Sequence, residues 1–336
     1  MFRTLATAVL LATAAMPLTA GAASAEQLKV VASFSILGDF AARVGGDRIE
    51  LTTLVGPNGD AHVYEPRPAD AAAVAAADVV LVNGLGFETF IPRLVEASGG
   101  KAPVVELTKG VAAIATDEEE HDHEKGGEHA HADEAHDHDH EKSAEHAHAE
   151  DDHEAHHDHG PTDPHAFQSV PNAIVYVGNV AEAFCAADAA GCEGYKANAA
   201  AYVETLKALD AELRAAVERI PADKRVIITS HDAFAYLGKE YGLTFLAPEG
   251  VSTGSEASAA DVARLIDQVR EDKAAALFVE NVTNARLIEQ IGSETGIEVG
   301  GALYSDALSA ADGPAPTYLD MMRHNIGTIA GAIRGS

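Results

Sequence analysis

YKANAAAYVETLKALDAELRAAVERI, residues 195–220, decides the architecture. Tyr195, Ala199, Tyr202, Leu206, Leu209, Leu213, Ala216 and Ile220 recur in it at steps of four and three, which draws one apolar stripe down a single helix. Pro221 ends the stripe, because proline lacks an amide hydrogen and disfavours helical backbone in the residue before it. At 1.5 Å of rise per residue this stretch would span about 39 Å, the length of a strut between two lobes.

The pattern on either side of the strut supports two lobes. Before it, β-rich runs at 28–34, 49–55, 79–82 and 104–107 alternate with helical runs at 36–44, 69–77 and 89–97. After it the alternation restarts, with β-rich runs at 225–229, 244–247, 275–279 and 296–302 and helical runs at 233–241, 258–271 and 285–295. Strand and helix in alternation imply parallel sheets covered by helices. The expected fold is α/β: two lobes, each a four-stranded parallel sheet flanked by helices, joined by one long rigid helix. The lobes are expected at 26–190 and 222–336, with the link at 191–221. Wide hinge closure would break the strut's hydrogen bonds, so only modest rocking is expected.

Residues 1–25 read as a secretory signal: Arg3, an apolar stretch from Leu5, and Ala23-Ser24-Ala25 as a small-x-small cleavage pattern. A soluble, exported chain from about Glu26 is expected. No cysteine follows the cleavage pattern, so no lipid anchor is expected there, and no later uninterrupted apolar run is long enough for a membrane span. Cys185 and Cys192 lie close together in a chain bound for an oxidising compartment and predict a local disulfide. The formal charge is −30. Such acidity argues against a nucleic-acid or anionic-lipid surface, which needs clustered Lys and Arg.

Much of that charge sits in one segment. Residues 117–160 hold 18 acids, two lysines and no Val, Leu, Ile or Phe, so the segment has nothing to bury and is expected to stay a solvated loop within the first lobe. It also holds 13 of the chain's 17 histidines: His121, His123, His129, His131, His136, His138, His140, His146, His148, His153, His156, His157 and His159. Imidazoles among carboxylates predict several weak, exchanging metal sites. An acidic solubilising linker would need no histidine.

A precise site has to come from the isolated residues. His62 lies in Gly56-Pro57-Asn58-Gly59-Asp60-Ala61-His62-Val63-Tyr64-Glu65-Pro66, a turn-rich loop beyond an expected strand. His165 lies in Asp163-Pro164-His165-Ala166-Phe167; His231 follows Val226-Ile227-Ile228-Thr229; Asp306 lies in Tyr304-Ser305-Asp306-Ala307. Most fall near the carboxyl ends of parallel strands, where open α/β sheets place ligands. Three imidazoles and a carboxylate suit tetrahedral zinc, whereas manganese favours more oxygen and higher coordination. Taken singly, a strand-end histidine usually reads as a satisfied polar group, and Asp306 reads as a helix cap. His324, on an expected terminal helix, reads as structural.

Taken in order, the His62 loop, Asp163-Pro164-His165, Thr229-Ser230-His231-Asp232-Ala233-Phe234 and Leu303-Tyr304-Ser305-Asp306-Ala307-Leu308 resemble the cluster A-I metal-binding proteins of ABC importers. The resemblance covers the mature chain and is nearest to the zinc-binding Azt and Znu types, which share a histidine-rich loop. It implies metal ligands at His62, His165, His231 and Asp306. Manganese-binding relatives carry a carboxylate at the position of His231, which points to Zn2+. Znu-type proteins often have an acidic candidate just before the first histidine; Ala61 cannot serve, which leans the reading toward the Azt type and strengthens Asp306. The implied function is capture of Zn2+ in the periplasm and delivery to an ABC transporter membrane permease by a monomer, with a periplasmic zinc metallochaperone as a conceivable donor.

Two other functions compete. A zinc hydrolase would need an open coordination position, which Asp306 would close, and no His-Glu-x-x-His supplies a base. Ser230-His231-Asp232 is no triad, since consecutive strand-end residues point to opposite faces. Gly84-x-Gly86 lacks the frame of a dinucleotide site. A zinc buffer that exchanges metal only with soluble proteins is the other alternative.

Overall fold

A computed structural model describes residues 26–116, 162–254 and 257–335. The first sheet contains β1 (Leu28–Phe34), β2 (Ile49–Val55), β3 (Val79–Val82) and β4 (Val104–Glu106), with α1 (Ser35–Gly45), α2 (Pro68–Ala76) and α3 (Ile91–Ser98) between them. Helices α4 (Val170–Ala187) and α5 (Cys192–Val217) lead to the second sheet, formed by β5 (Val226–Ile228), β6 (Thr244–Leu246), β7 (Ala276–Glu280) and β8 (Val299–Leu303). Its helices are α6 (Ala235–Tyr241), α7 (Ala259–Asp272), α8 (Arg286–Thr295) and α9 (Tyr318–Gly335). Both sheets are parallel and four-stranded, ordered β2-β1-β3-β4 and β6-β5-β7-β8, so the lobes repeat one topology. The near-continuous apolar runs of β1 and β3 follow from their place inside the first sheet, covered on both faces; every residue of β3 is buried.

The strut is present as α5, 26 residues long, and it buries Tyr195, Ala199, Tyr202, Leu206, Leu209 and Leu213 as the stripe requires. Its end differs. Val217 replaces Ala216 as the last buried helical residue, and Ile220 is buried just beyond the helix, within the non-helical approach to Pro221. Helix α5 touches α1 and α4 in the first lobe and α6 and α9 in the second. One apolar core runs through both lobes around it, while a smaller cluster under α7 and α8 completes the second lobe.

The sequence reading omitted α4. Ser169 caps it by accepting from Asn172 N, and Pro171 stands in its first turn, where a missing amide hydrogen costs nothing. Helix α4 is apolar and long enough to cross a membrane by composition, but Tyr176, Val177, Val180 and Phe184 are buried against α1 and α5, as in a core helix. The start of β8 also differs, beginning at Val299 rather than 296, because Gly296 closes α8 in the left-handed conformation (φ 75°) with its N–H on Gly292 O. The Cys185–Cys192 disulfide is present and ties the end of α4 to the start of α5.

Candidate metal centre

Four side chains from separate parts of the chain converge between the lobes. His62 comes from the loop after β2 and His165 from the segment before α4, both in the first lobe. His231 follows β5 and Asp306 follows β8, so the second lobe supplies the other pair. One potential donor atom from each lies within 4.8 Å of all the others. Asp306 Oδ2 is 3.3 Å from His62 Nε2 and 3.1 Å from His231 Nε2; Asp306 Oδ1 is 3.5 Å from His165 Nε2, which is 3.4 Å from His62 Nε2. In a tetrahedron the edge is about 1.6 times the centre-to-corner length, so metal bonds of 2.0–2.1 Å imply edges of about 3.3 Å. The contacts of 3.1–3.5 Å come near that edge, and the whole donor set lies within 4.8 Å.

Carboxylates behind two of the imidazoles set which nitrogen faces the centre. Asp163 Oδ1 lies 2.7 Å from His165 Nδ1 and also accepts from His165 N at 2.9 Å. Glu280 Oε2 lies 2.6 Å from His231 Nδ1, and its Oε1 accepts from Ser230 N and His231 N at 2.8 and 2.9 Å. A carboxylate at Nδ1 holds the proton there and leaves the Nε2 lone pair for a cation. His62 is held differently: its amide donates to Asp60 Oδ1, while Thr253 Oγ1 from the second lobe donates to Asp60 Oδ2. The Phe87 ring, 4.7 Å from that of His62 and 5.7 Å from that of His165, forms an apolar wall.

The charges in this pocket make sense around a cation. Neither Asp306 oxygen meets a donor in hydrogen-bond geometry although both are buried, an expensive arrangement for a carboxylate unless a positive charge joins it. Burial pushes the Asp306 carboxyl up, but His165 and His231 outweigh burial and hold it well below the usual carboxylate range. Burial likewise depresses His231, and Glu280 and Asp306 reverse that and hold its imidazole well above its ordinary value.

All four isolated residues singled out in the sequence meet here, while His324 stands apart, its Nε2 3.0 Å from Ala302 O. The thirteen histidines from His121 to His159, and the expected signal at 1–25, lie outside the described residues. The sequence reading gave no role to Asp163 or Glu280. Asp163 had a signal, two residues before a histidine in a quoted motif. Glu280 had only its position at the carboxyl end of a strand.

The fold and this cluster define a class: a two-lobed binding protein that encloses a metal ion between its sheets. The zinc-uptake complex component A periplasmic family matches residues 30–332, and the chain belongs to it. It is thus a metal-binding, substrate-binding component of an ABC importer, a class that works with a membrane permease and performs no catalysis. The iron-binding protein YfeA of Yersinia pestis is 31% identical over 330 residues, covering 98% of this chain and 94% of YfeA. The manganese-binding lipoprotein MntA of Halalkalibacterium halodurans is 31% identical over 308 residues, covering 92% and 89%. The solved periplasmic zinc-binding protein TroA of Treponema pallidum superposes with a TM-score of 0.76 at 26% identity, over 92% of this chain and 99% of TroA. These relatives are named for three different metals.

Proposed function

We propose that this chain captures Zn2+ at His62, His165, His231 and Asp306 and delivers it to the permease of a zinc importer. The observation that carries the choice of metal is the donor set: three imidazole nitrogens and one carboxylate within 4.8 Å of one another. Nitrogen-rich four-coordinate sites suit zinc, and the Irving–Williams order places zinc above manganese and iron(II) for such donors. Manganese or iron is the second reading, favoured by the relatives named for those metals. An Azt-type assignment belongs to the same proposal, since Ala61 offers no donor beside His62.

The histidine-rich segment 117–160 acts in this reading as a weak zinc collector, and a periplasmic metallochaperone could load the centre. We also take the exported chain, from about Glu26, to be a monomer, and to carry no lipid on cysteine because Cys185 and Cys192 are joined to each other. A soluble zinc buffer would bind the same ion but need no permease. Zinc titration of the full chain by calorimetry tests the proposal. One tight site plus a weak class is expected, and a chain with only weak sites would refute it.

A further inference from the structure

The turn after β3, Asn83-Gly84-Leu85-Gly86-Phe87-Glu88, is unusual in its backbone. Gly84, Leu85 and Gly86 have φ of 91°, 54° and 76°. Three left-handed residues in succession, one carrying a β-carbon, persist only where the surroundings over-determine them. Here the determinant is a buried carboxylate. Glu88 Oε1 accepts from Ser33 Oγ at 2.5 Å and from Asn83 N at 2.7 Å, and Oε2 accepts from Gly84 N at 3.4 Å. Glu88 is only 7% exposed and forms no ion pair among the described residues.

The turn reaches the metal centre by two routes. The Asn83 side chain donates to Pro164 O at 2.8 Å, beside His165, and accepts from Tyr176 OH at 2.6 Å. Phe87, next to Glu88, lies edge-on to His62 and His165 and is locked from behind by Phe34 and Phe167. We propose that Glu88 is a positioning residue for the metal centre: it folds the 83–87 turn so that Phe87 backs His62 while Asn83 holds the Pro164 carbonyl beside His165. The proposal rests on the metal reading of the His62–His165–His231–Asp306 cluster.

The chemistry of the turn adds a pH signature. Burial pushes the Glu88 carboxyl up to about 7, against the pull of the Asn83, Ser33 and Gly84 donors. The groups facing it are the Ser33 hydroxyl from β1, those two amides, the Tyr176 phenol of α4 beyond Asn83, and the Glu106 side chain of β4 across Gly84. A protonated carboxyl keeps both Oε1 contacts, because the Ser33 hydroxyl can turn from donor to acceptor while Asn83 N still donates. Burial thus favours the neutral carboxyl in the ordered turn, so charging Glu88 above about pH 7 loosens the turn and, with it, the hold on the metal.

Zinc competition against a chromophoric chelator, from about pH 6 to about pH 8, tests this on the full chain, Glu88→Gln and Glu88→Ala. Zinc-loaded samples labelled at histidine nitrogen supply a second readout. Glu88→Ala should weaken zinc about tenfold. The affinity ratio of wild type to Glu88→Gln should fall through about pH 7, where Glu88 becomes charged. The His62 and His165 signals should move and that of His231 should stay. A flat ratio with unmoved signals in folded variants would overturn the proposal, as would equal movement of His231. If Glu88→Ala does not fold, the Glu88→Gln ratio decides alone, a changing ratio supporting the role and a flat one refuting it. Wild type that holds no zinc would instead remove the reading of the cluster.

Discussion

Glu280→Gln probes the centre without touching a proposed ligand. The Glu280 carboxylate faces three N–H groups: it accepts from Ser230 N and His231 N, and its Oε2 lies 2.6 Å from His231 Nδ1. A glutamine can satisfy them in neither orientation. With its oxygen on the two backbone amides, its NH2 group faces Nδ1 and forces the proton onto Nε2, the nitrogen that must bind metal. With its oxygen on Nδ1, the NH2 group meets two N–H donors in a buried pocket. Either mismatch forfeits a buried charge-assisted hydrogen bond, about 1.5–3 kcal/mol, which corresponds to roughly a 10- to 150-fold loss in zinc affinity. Competition titration with a chelator of known affinity measures it, and circular dichroism confirms that the variant is folded. An unchanged affinity would refute the tautomer argument. Asp163→Asn should act on His165 in the same way.

Three further outcomes follow from the same geometry. Alanine at His62, His165 or His231 should each weaken the tight site by at least about tenfold, and Asp306→Ala by less, because water can replace one oxygen donor; chelator competition checks the order. Deleting residues 117–160 should remove most weak zinc stoichiometry in calorimetry and leave the tight site, because closure entropy changes slowly with loop length, by about a kilocalorie per mole or less. The third concerns metal-free stability. Glu88 has a folded pKa of about 7, raised from 4.5, so the unfolded chain releases this proton first and stability falls as pH rises between those values. At 1.36 kcal/mol per pKa unit the loss is about 3 kcal/mol. Urea unfolding of metal-free wild type should show this slope and Glu88→Gln should lack it.

The parts legible in the sequence were those written in periodicity and in loop motifs. The α5 stripe and the strand–helix alternation each follow from local spacing, and the four converging residues stand at strand ends or in turn-rich motifs. What stayed hidden depends on contacts distant in sequence. Helix α4 is apolar on more than one side because it packs against both α1 and α5, so no sharp stripe marks it. Glu280 is 49 residues from His231, and Glu88 is 55 from Ser33; nothing local at either position announces the partner. The two glycines beside Leu85 were read against a nucleotide motif, which they do not complete, when their use is to permit the turn that Glu88 closes.

The central claim is the metal. Metal-free protein given one equivalent each of zinc and manganese, washed with a weak chelator and assayed by elemental analysis tests it most directly. The account predicts one retained zinc per chain and negligible manganese; retention of manganese in preference to zinc would contradict it.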